Sequence, residues 1–182
     1  MEEQLDIKII PNPLVLAGHS LGEYTALAVA GVLNVANTAK LVQLRGKLMQ
    51  QACNQNPGTM ASIIGLDQII VTEIVEGTGA YVSNINTAEQ IVISGDHAAV
   101  SGAVDLLSKK GARKVIPLRV GGAFHSGLME PAKYELEQAI HGLTFQDANI
   151  PIIANCSGKP MTSSWEIKEE LAQQLCGCVR WH

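Results

Sequence analysis

Apolar runs alternate with amphipathic segments along this chain, a pattern that favours an α/β fold. The run Leu14–Ala17 predicts a buried strand, and the residues after a short glycine-rich turn, up to residue 33, predict a helix. Asn34–Cys53 predicts a second helix, because its leucines recur at i, i+3 and i+7 on one face and Asn34 can cap it. Strand, turn and helix therefore follow one another directly at the start of the chain.

The middle of the chain has a different rhythm, in which short strand patterns alternate with two helix patterns. Their order is strand, helix, strand, strand, helix, strand, which is the ferredoxin-like βαββαβ motif. The predicted elements are Thr59–Gly65, Leu66–Glu76, Ala80–Asn84, Gln90–Ser94, His97–Gly111 and Lys114–Val120. Ser94 or Asp96 is placed to cap the second of these helices, and Gly111 to end it. We predict that residues 58–120 form a ferredoxin-like insertion in a larger α/β unit made of residues 1–57 and 121–182.

The last part of the chain returns to longer elements. A loop at 121–126 is followed by a predicted helix at Leu128–Ile140, with a proline in its first turn. The apolar run Ile150–Ala154 predicts a buried strand, and Glu166–Leu175 predicts a final helix. These elements complete the larger unit.

The first strand-to-helix junction carries Gly18-His19-Ser20-Leu21-Gly22, which has the G-x-S-x-G spacing of a nucleophile elbow. Glycines on both sides of the serine give the strand and the helix room to approach. The N-terminus of the helix points N–H groups and a positive dipole end at an oxyanion. A glycine-rich turn with an idle serine is the alternative, but the strand before and the helix after favour a nucleophile.

Composition narrows the classes of protein without naming one. A chain of 182 residues with 47% hydrophobic content suits one domain, or one domain with a small inserted module. The net charge of -4 and the lack of a basic tract with interleaved aromatics argue against general nucleic-acid binding.

The cysteines and the N-terminus indicate where the protein resides. The 4 cysteines are scattered, and Cys176-Gly-Cys178 is too tightly spaced for a zinc site, so we expect free thiols and neither metal nor cofactor. The first residues are acidic and do not resemble a signal peptide, and no apolar run is long enough to span a membrane. A cytoplasmic location is therefore expected.

A nucleophilic serine needs a base within hydrogen-bond reach. His125 is the best candidate, because it lies in a loop that follows a predicted strand, and such loops carry catalytic groups in α/β folds. A loop histidine with a purely structural role is the alternative. Structural or solvated roles are expected for the other histidines, which lie in the elbow, at helix ends and at the chain end: His19, His97, His141 and His182.

The remaining parts of a catalytic site are less clear from the residues alone. Asp67, Asp96 and Asp105 all fall inside the predicted insertion, so we expect the histidine to be oriented by a group other than a carboxylate, such as a backbone carbonyl. Arg45 borders the apolar face of the second helix. It is either paired with a fixed anion or a surface arginine whose stem lies along apolar residues.

In combination these motifs resemble the malonyl-CoA:acyl carrier protein transacylase family and the acyltransferase domains of polyketide and fatty acid synthases. The matching segments cover almost the whole chain: residues 18–24, 41–50, 60–65, 84–86, 90–95, 123–129, 173–175 and 179–181. The resemblance implies an α/β-hydrolase-like parallel sheet domain with an inserted ferredoxin-like subdomain. That fold agrees with the organisation predicted above.

The resemblance also implies roles at the matching positions. Ser20 resembles the acylated nucleophile and His125 its base. The backbone N–H of Leu21 resembles an oxyanion donor, and Gln174 matches the position whose backbone carbonyl orients the histidine. Such a carbonyl would account for the missing carboxylate.

Two further positions resemble specificity determinants. Arg45 matches the arginine that grips the free carboxylate of a malonyl group, which a bidentate guanidinium selects over a plain acyl group. Phe124 matches the bulky residue of malonyl-selective members, where a serine is typical of methylmalonyl-selective domains. Discrimination against one extra methyl group is worth about 1–3 kcal/mol.

The implied reaction is a ping-pong transfer in fatty acid biosynthesis, from malonyl-CoA to Ser20 and then to the phosphopantetheine thiol of acyl carrier protein. Acyl carrier proteins are acidic, so the basic run Lys109, Lys110, Arg113 and Lys114 is a candidate contact, although such a run is usually only a solvated face. The alternatives are a polyketide synthase acyltransferase fragment, a serine esterase or thioesterase, and a non-catalytic remnant that binds a carrier protein.

The chain departs from the family pattern at both ends. Full members carry a Gly-Gln-Gly segment well before the elbow and a Gly-Pro-Gly segment after the final motif, and neither is present here. We therefore expect the chain to correspond to the middle of the enzyme. Loss of the oxyanion donor in the first of these segments would cost roughly 10²–10³ in rate. Loss of sheet strands would also expose strand edges and core, so poor solubility or weak activity is expected for this piece alone.

Overall fold

A computed structural model of the protein describes residues 13–182. Its helices are α1 (Leu21–Val29), α2 (Val35–Gln55), α3 (Gln68–Thr78), α4 (His97–Lys109), α5 (Glu130–His141) and α6 (Ser164–Gln174). Its strands are β1 (Thr59–Ile64), β2 (Tyr81–Thr87), β3 (Gln90–Gly95), β4 (Lys114–Pro117), β5 (Ile152–Ile153), β6 (Pro160–Met161) and β7 (Val179–Arg180). A single 3₁₀ turn, Gly127–Met129, leads into α5.

The middle of the chain forms the predicted order of strands and helices. Strands β1 to β4 are antiparallel and lie in the order β4-β1-β3-β2, while the apolar residues of α3 and α4 pack with those of β1 and β3 in one cluster. Asp96 caps α4, and Gly111 with φ +99° follows its last turn, as the sequence predicts. The antiparallel sheet and the separate apolar cluster support an inserted unit at 58–120, whose boundaries stay a prediction.

The larger unit is built around a second apolar cluster, to which α1, α2, α5 and α6 contribute. Asn34 caps α2 by accepting a hydrogen bond from the N–H of Asn37, as predicted. Helix α6 begins earlier than predicted, because Ser163 and Glu166 form a capping box at its start. These helices hold the segments between them in place.

The two predicted buried strands of this unit are much shorter than expected. Leu14–Ala17 makes a single parallel bridge, between Leu16 and Ile152, and Leu14 is 89% exposed. Of the predicted strand Ile150–Ala154 only two residues are assigned as β5, which pairs with β6. The prediction of burial was wrong for Leu14–Ala17, because few described residues cover that segment. It was right for the second segment, where Ile152 and Ala154 lie in the apolar cluster of the larger unit.

The end of the chain joins the sheet of the middle unit. Strand β7 pairs in parallel with β2, so that Asn84 lies opposite Val179 and Ile85 opposite Arg180. Strands β6 and β7 were not predicted, because two residues are too few to show a period. This pairing places the residues that follow α6 at the edge of the middle unit's sheet, beside β2.

Within residues 13–182, no helix has the length and apolarity needed to cross a membrane. The four cysteines are free thiols, and the described part of the chain holds no cluster of three metal-ligating side chains.

Candidate active site

The turn that carries Ser20 has an unusual backbone. Ser20 is the N-cap of α1, and its φ of 53° and ψ of -103° are rarely adopted by a residue with a side chain. A Cβ on Gly18 would lie 2.0 Å from the carbonyl carbon and oxygen of Gly22, so the turn can close only with glycine at position 18. A Cβ on Gly22 would meet no described atom within 4 Å, so the steric role predicted for that second glycine was wrong.

The structure brings His125 to the serine across 105 positions of sequence. His125 Nε2 lies 2.8 Å from Ser20 Oγ, and Nδ1 lies 2.9 Å from the backbone carbonyl oxygen of Gln174. Because a carbonyl only accepts, Nδ1 carries the ring hydrogen and Nε2 is free to accept the serine proton. His125 also has a positive φ, of 56°. This geometry is that of a serine with a neutral histidine base oriented by a carbonyl.

Burial keeps the histidine neutral. The imidazole of His125 is buried, and this burial, with a smaller contribution from the charge of Arg45, lowers its pKa to about 4 from an ordinary value of 6.5. The hydrogen bond to Gln174 acts in the opposite direction but is the weaker effect. A neutral imidazole is the form that can remove a proton from a hydroxyl.

Arg45 is buried, at 5% exposure, so the surface-arginine alternative was wrong. Its Nη2 donates to Ser20 Oγ at 3.0 Å and to the side-chain Oε1 of Gln174 at 3.1 Å, and its guanidinium lies 5.4 Å from the ring centroid of Tyr24. Its Nε has no hydrogen-bond partner among the described residues. No described carboxylate lies within 4.0 Å of the guanidinium, so this buried cation has free hydrogen-bonding capacity beside the serine.

Leu21 and Phe124, the other two predicted site residues, flank the serine and the histidine in sequence. Leu21 is the first residue of α1, so its N–H has no intrahelical acceptor. Phe124 is partly buried and packs against the apolar cluster of the larger unit. Their predicted roles as an oxyanion donor and a specificity residue stay predictions.

The elbow histidine and the basic run lie at the surface. His19 places Nε2 3.2 Å from Asn86 Oδ1 and packs against the ring of Trp181. In the basic run, Arg113 forms an exposed ion pair of 3.0 Å with Glu89. Such exposed pairs contribute little to stability.

Two site residues were missed by the sequence analysis. Glu23 lies fully buried in the first turn of α1, and Asn155 lies two positions after the end of β5. Asn155 Oδ1 accepts the N–H of Ser20 at 2.7 Å, and its Nδ2 donates to the carbonyl of Gly18 at 2.9 Å. A carboxylate three positions after the serine in an otherwise apolar helix, and an amide at a strand end, were the signals that could have found them.

Ser20 is expected to stay reactive at pH values below the ordinary histidine pKa of 6.5. The step in fluorophosphonate labelling that reflects protonation of His125 should have its midpoint near pH 4 rather than 6.5, because His125 stays neutral in that interval. Between those values the unfolded chain binds a proton that the folded chain does not, so the contribution of His125 to stability is lost as the pH falls. Circular dichroism at each pH separates this loss from titration. A midpoint near 6.5 in folded protein would contradict the burial of the imidazole.

The fold and the contact between Ser20 and His125 define an α/β protein in which a tight turn before a helix places a serine against a histidine. The chain matches the acyl transferase domain family over residues 11–182. It is 40% identical to the malonyl CoA-acyl carrier protein transacylase of Bacillus subtilis over an alignment of 175 residues, and the match covers 93% of this chain and 55% of that protein. It is 41% identical to the protein of the same name from Haemophilus influenzae, over 93% of this chain and 56% of that protein.

Solved structures agree with this match. An acyl carrier protein S-malonyltransferase from Vibrio cholerae superposes with a TM-score of 0.91 at 40% identity, over 94% of this chain and 57% of the other. A complex described as a type II PKS acyl-carrier protein with its malonyl-transacylase gives 0.89 at 38% identity, over 93% and 56%. The chain therefore belongs to the acyl transferase domain family, and it spans about 55% of the curated relatives it matches.

Proposed function

We propose that the protein transfers a malonyl group from malonyl-CoA to the phosphopantetheine thiol of acyl carrier protein, in fatty acid biosynthesis, through a malonyl ester on Ser20. The names of the relatives from Bacillus subtilis and Haemophilus influenzae support the donor and the acceptor. The observation that carries the proposal is the buried guanidinium of Arg45, which contacts the serine Oγ and has no described carboxylate partner.

A buried arginine beside a nucleophile selects a substrate that brings its own anion. A malonyl thioester presents a free carboxylate a short distance from its reacting carbonyl, and a guanidinium can bind such a group through two charge-assisted hydrogen bonds. An acetyl thioester would leave the guanidinium unpaired, at a cost in binding. Ordinary serine esterases and thioesterases do not need this cation, so Arg45 favours transfer of a dicarboxylic acyl group.

The chemistry proceeds in two half-reactions. His125 Nε2 takes the proton of Ser20 as Oγ attacks the thioester carbonyl, and the Leu21 N–H donates to the oxyanion. The C–S bond then breaks, and the thiol of CoA leaves with the proton from His125. In the second half-reaction the carrier thiol gives its proton to His125 and attacks the malonyl ester, and Ser20 Oγ leaves with that proton.

Two further features support the proposed acyl specificity and the proposed contact with the carrier protein. The partly buried ring of Phe124, next to His125, would crowd a methyl branch on the acyl group. The basic run Lys109, Lys110, Arg113 and Lys114 provides positive charge for an acidic carrier protein, although Arg113 shares its charge with Glu89.

Transfer in polyketide synthesis is the second candidate. It is favoured by the similarity to a transacylase solved with a type II PKS acyl-carrier protein. The same site chemistry serves both, so the two candidates differ only in the carrier that accepts the group. Transfer rates from the malonylated protein to carriers of each type separate them.

Intact-protein mass spectrometry after incubation with malonyl-CoA tests the proposal. We expect a mass increase of one malonyl group in the unsubstituted chain and none in Ser20→Ala, because no other described hydroxyl has this arrangement of base and cation. Ser126→Ala is the matched control, since Ser126 is a buried serine that only bonds Ala123 and Leu128. An equal adduct in Ser20→Ala, or steady release of malonate without carrier, would contradict transfer through Ser20.

A further inference from the structure

We propose that Glu23 is the positioning residue of this site, because its single carboxylate orients both the Gln174 amide and the Asn155 segment that hold Ser20, His125 and Arg45 in place. The proposal rests on the proposed function only for the identity of the substrate. Its evidence is the set of hydrogen bonds behind the nucleophile.

Both carboxylate oxygens of Glu23 are used inside the protein. Oε1 accepts the backbone N–H of Asn155 at 3.2 Å, and Oε2 accepts a hydrogen bond from Gln174 Nε2. The side chain is fully buried, and no atom of it reaches solvent. Glu23 therefore acts on the reacting groups only through its two neighbours.

The contact with Gln174 decides which way that amide points. An ionised carboxylate accepts hydrogen bonds and donates none, so the NH₂ group of Gln174 must face it. The same Nε2 also donates to the carbonyl of Ser20 at 2.9 Å, and the amide oxygen is left facing Arg45 Nη2 at 3.1 Å. A flipped amide would place the NH₂ group of Gln174 against the N–H groups of Arg45, and two donors cannot hydrogen-bond to each other. The orientation of the arginine beside the serine thus depends on Glu23.

The contact with Asn155 supports the strained turn. Asn155 bonds the N–H of Ser20 and the carbonyl of Gly18, so it holds the backbone that leads into the serine. A residue with a side chain held at positive φ is strained, and this backbone conformation persists only where the surroundings enforce it. Glu23 fixes the backbone of the residue that supplies this enforcement.

The charge of Glu23 is balanced between opposing neighbours. Its charged and titratable neighbours are Glu170 on α6, Tyr24 on α1 and Arg45 on α2. Cys156 also lies near it, and the backbone N–H of Cys156 donates to Glu170 at 2.7 Å. Burial, and then repulsion by Glu170, raise the pKa of Glu23 to about 8. The contacts that orient Gln174 therefore strengthen as the pH rises through that value, because only the ionised form accepts at both oxygens.

Glu23→Gln tests the proposal, with Glu170→Gln as the matched control. Both substitutions remove a buried carboxylate of this group at nearly constant volume, but Glu170 bonds Cys156 and neither Gln174 nor Asn155. The probe is a fluorophosphonate, and the readout is the rate of Ser20 labelling at about pH 9 in the full chain. Misplacement of a reacting group by 1 Å costs up to about 100-fold, so we expect Glu23→Gln to lower the rate by roughly 10- to 100-fold and Glu170→Gln by less than about twofold.

The pH profile distinguishes positioning from a loss of folding. The labelling rate of the unsubstituted chain should rise in two steps, the lower near pH 4 from His125 and the upper near pH 8 from Glu23. The upper step should be absent in Glu23→Gln and shifted to lower pH in Glu170→Gln, which removes the repelling charge. A folded Glu23→Gln protein that labels at the unsubstituted rate overturns the proposal. If that variant does not fold, an unshifted upper midpoint in Glu170→Gln overturns it, as does a lack of labelling in the unsubstituted chain.

The same measurements separate this proposal from the proposed function. The fluorophosphonate reacts with an activated serine without a malonyl group or a carrier. Failure of malonyl-CoA to form an adduct, combined with slow labelling of Glu23→Gln, would reject the function and keep the role of Glu23. Normal adduct formation by Glu23→Gln would reject that role and leave the function intact.

Discussion

His125→Ala is expected to lower the rate of Ser20 malonylation by roughly 10²–10⁴, the range contributed by a positioned general base. The hydroxyl of Ser20 has its only described base at 2.8 Å, and that base is held by the Gln174 carbonyl rather than by a carboxylate. Without the imidazole, the serine proton has no acceptor in the site. Time-resolved intact mass with malonyl-CoA measures the rate.

His141→Ala is the matched control for this substitution. His141 is an exposed histidine, the last residue of α5. It should leave the rate unchanged, and circular dichroism should show that both variants keep the fold. A normal rate in His125→Ala would mean that the contact between serine and histidine has no chemical role.

Arg45→Lys is expected to lower kcat/KM for malonyl-CoA by roughly 100-fold, because loss of a bidentate charge-assisted contact costs about 3 kcal/mol. Lysine keeps the charge but lacks the planar fork that binds a carboxylate at two points. The rate with acetyl-CoA should change much less, since that substrate has no carboxylate to lose. The measurement is the ratio of the two kcat/KM values.

Lys47→Met provides the control, since Lys47 is an exposed basic residue on the same helix. It should leave the preference for malonyl-CoA intact. Equal losses with both thioesters in Arg45→Lys would show that the arginine supports the serine and does not read the acyl group. Binding of the malonyl carboxylate by Arg45 would then be rejected, while the proposed role of Ser20 would stand.

Local signals predicted much of this fold. Asn34, Asp96 and Gly111 act at helix ends as the sequence indicates, because a cap depends on a few neighbouring residues. The order of strands and helices in the middle of the chain was readable for the same reason, since each element there is long enough to show its period. The family match confirms the resemblance that these motifs suggested.

Features that depend on distant partners were missed or wrong. Leu14 was expected inside a strand and is exposed, and the unpredicted strands β6 and β7 are too short to have a periodic signature. Glu23 and Asn155 were overlooked, because a buried carboxylate is recognisable only by the donors that surround it. Arg45 was left between two alternatives for the same reason.

The position of the elbow could be read from the amino-acid sequence, because Gly18 and the first turn of α1 lie within a few residues of Ser20. The groups that surround the serine, and the Asn155 contact that supports its strained turn, come from tertiary packing. Arg45, His125 and Gln174 lie 25, 105 and 154 positions from it and meet there through the packing of α2, the loop after β4 and the end of α6. Beyond a few residues, the separation of two positions along the chain does not determine their distance in space. The convergence of these side chains is therefore a property of the packed fold.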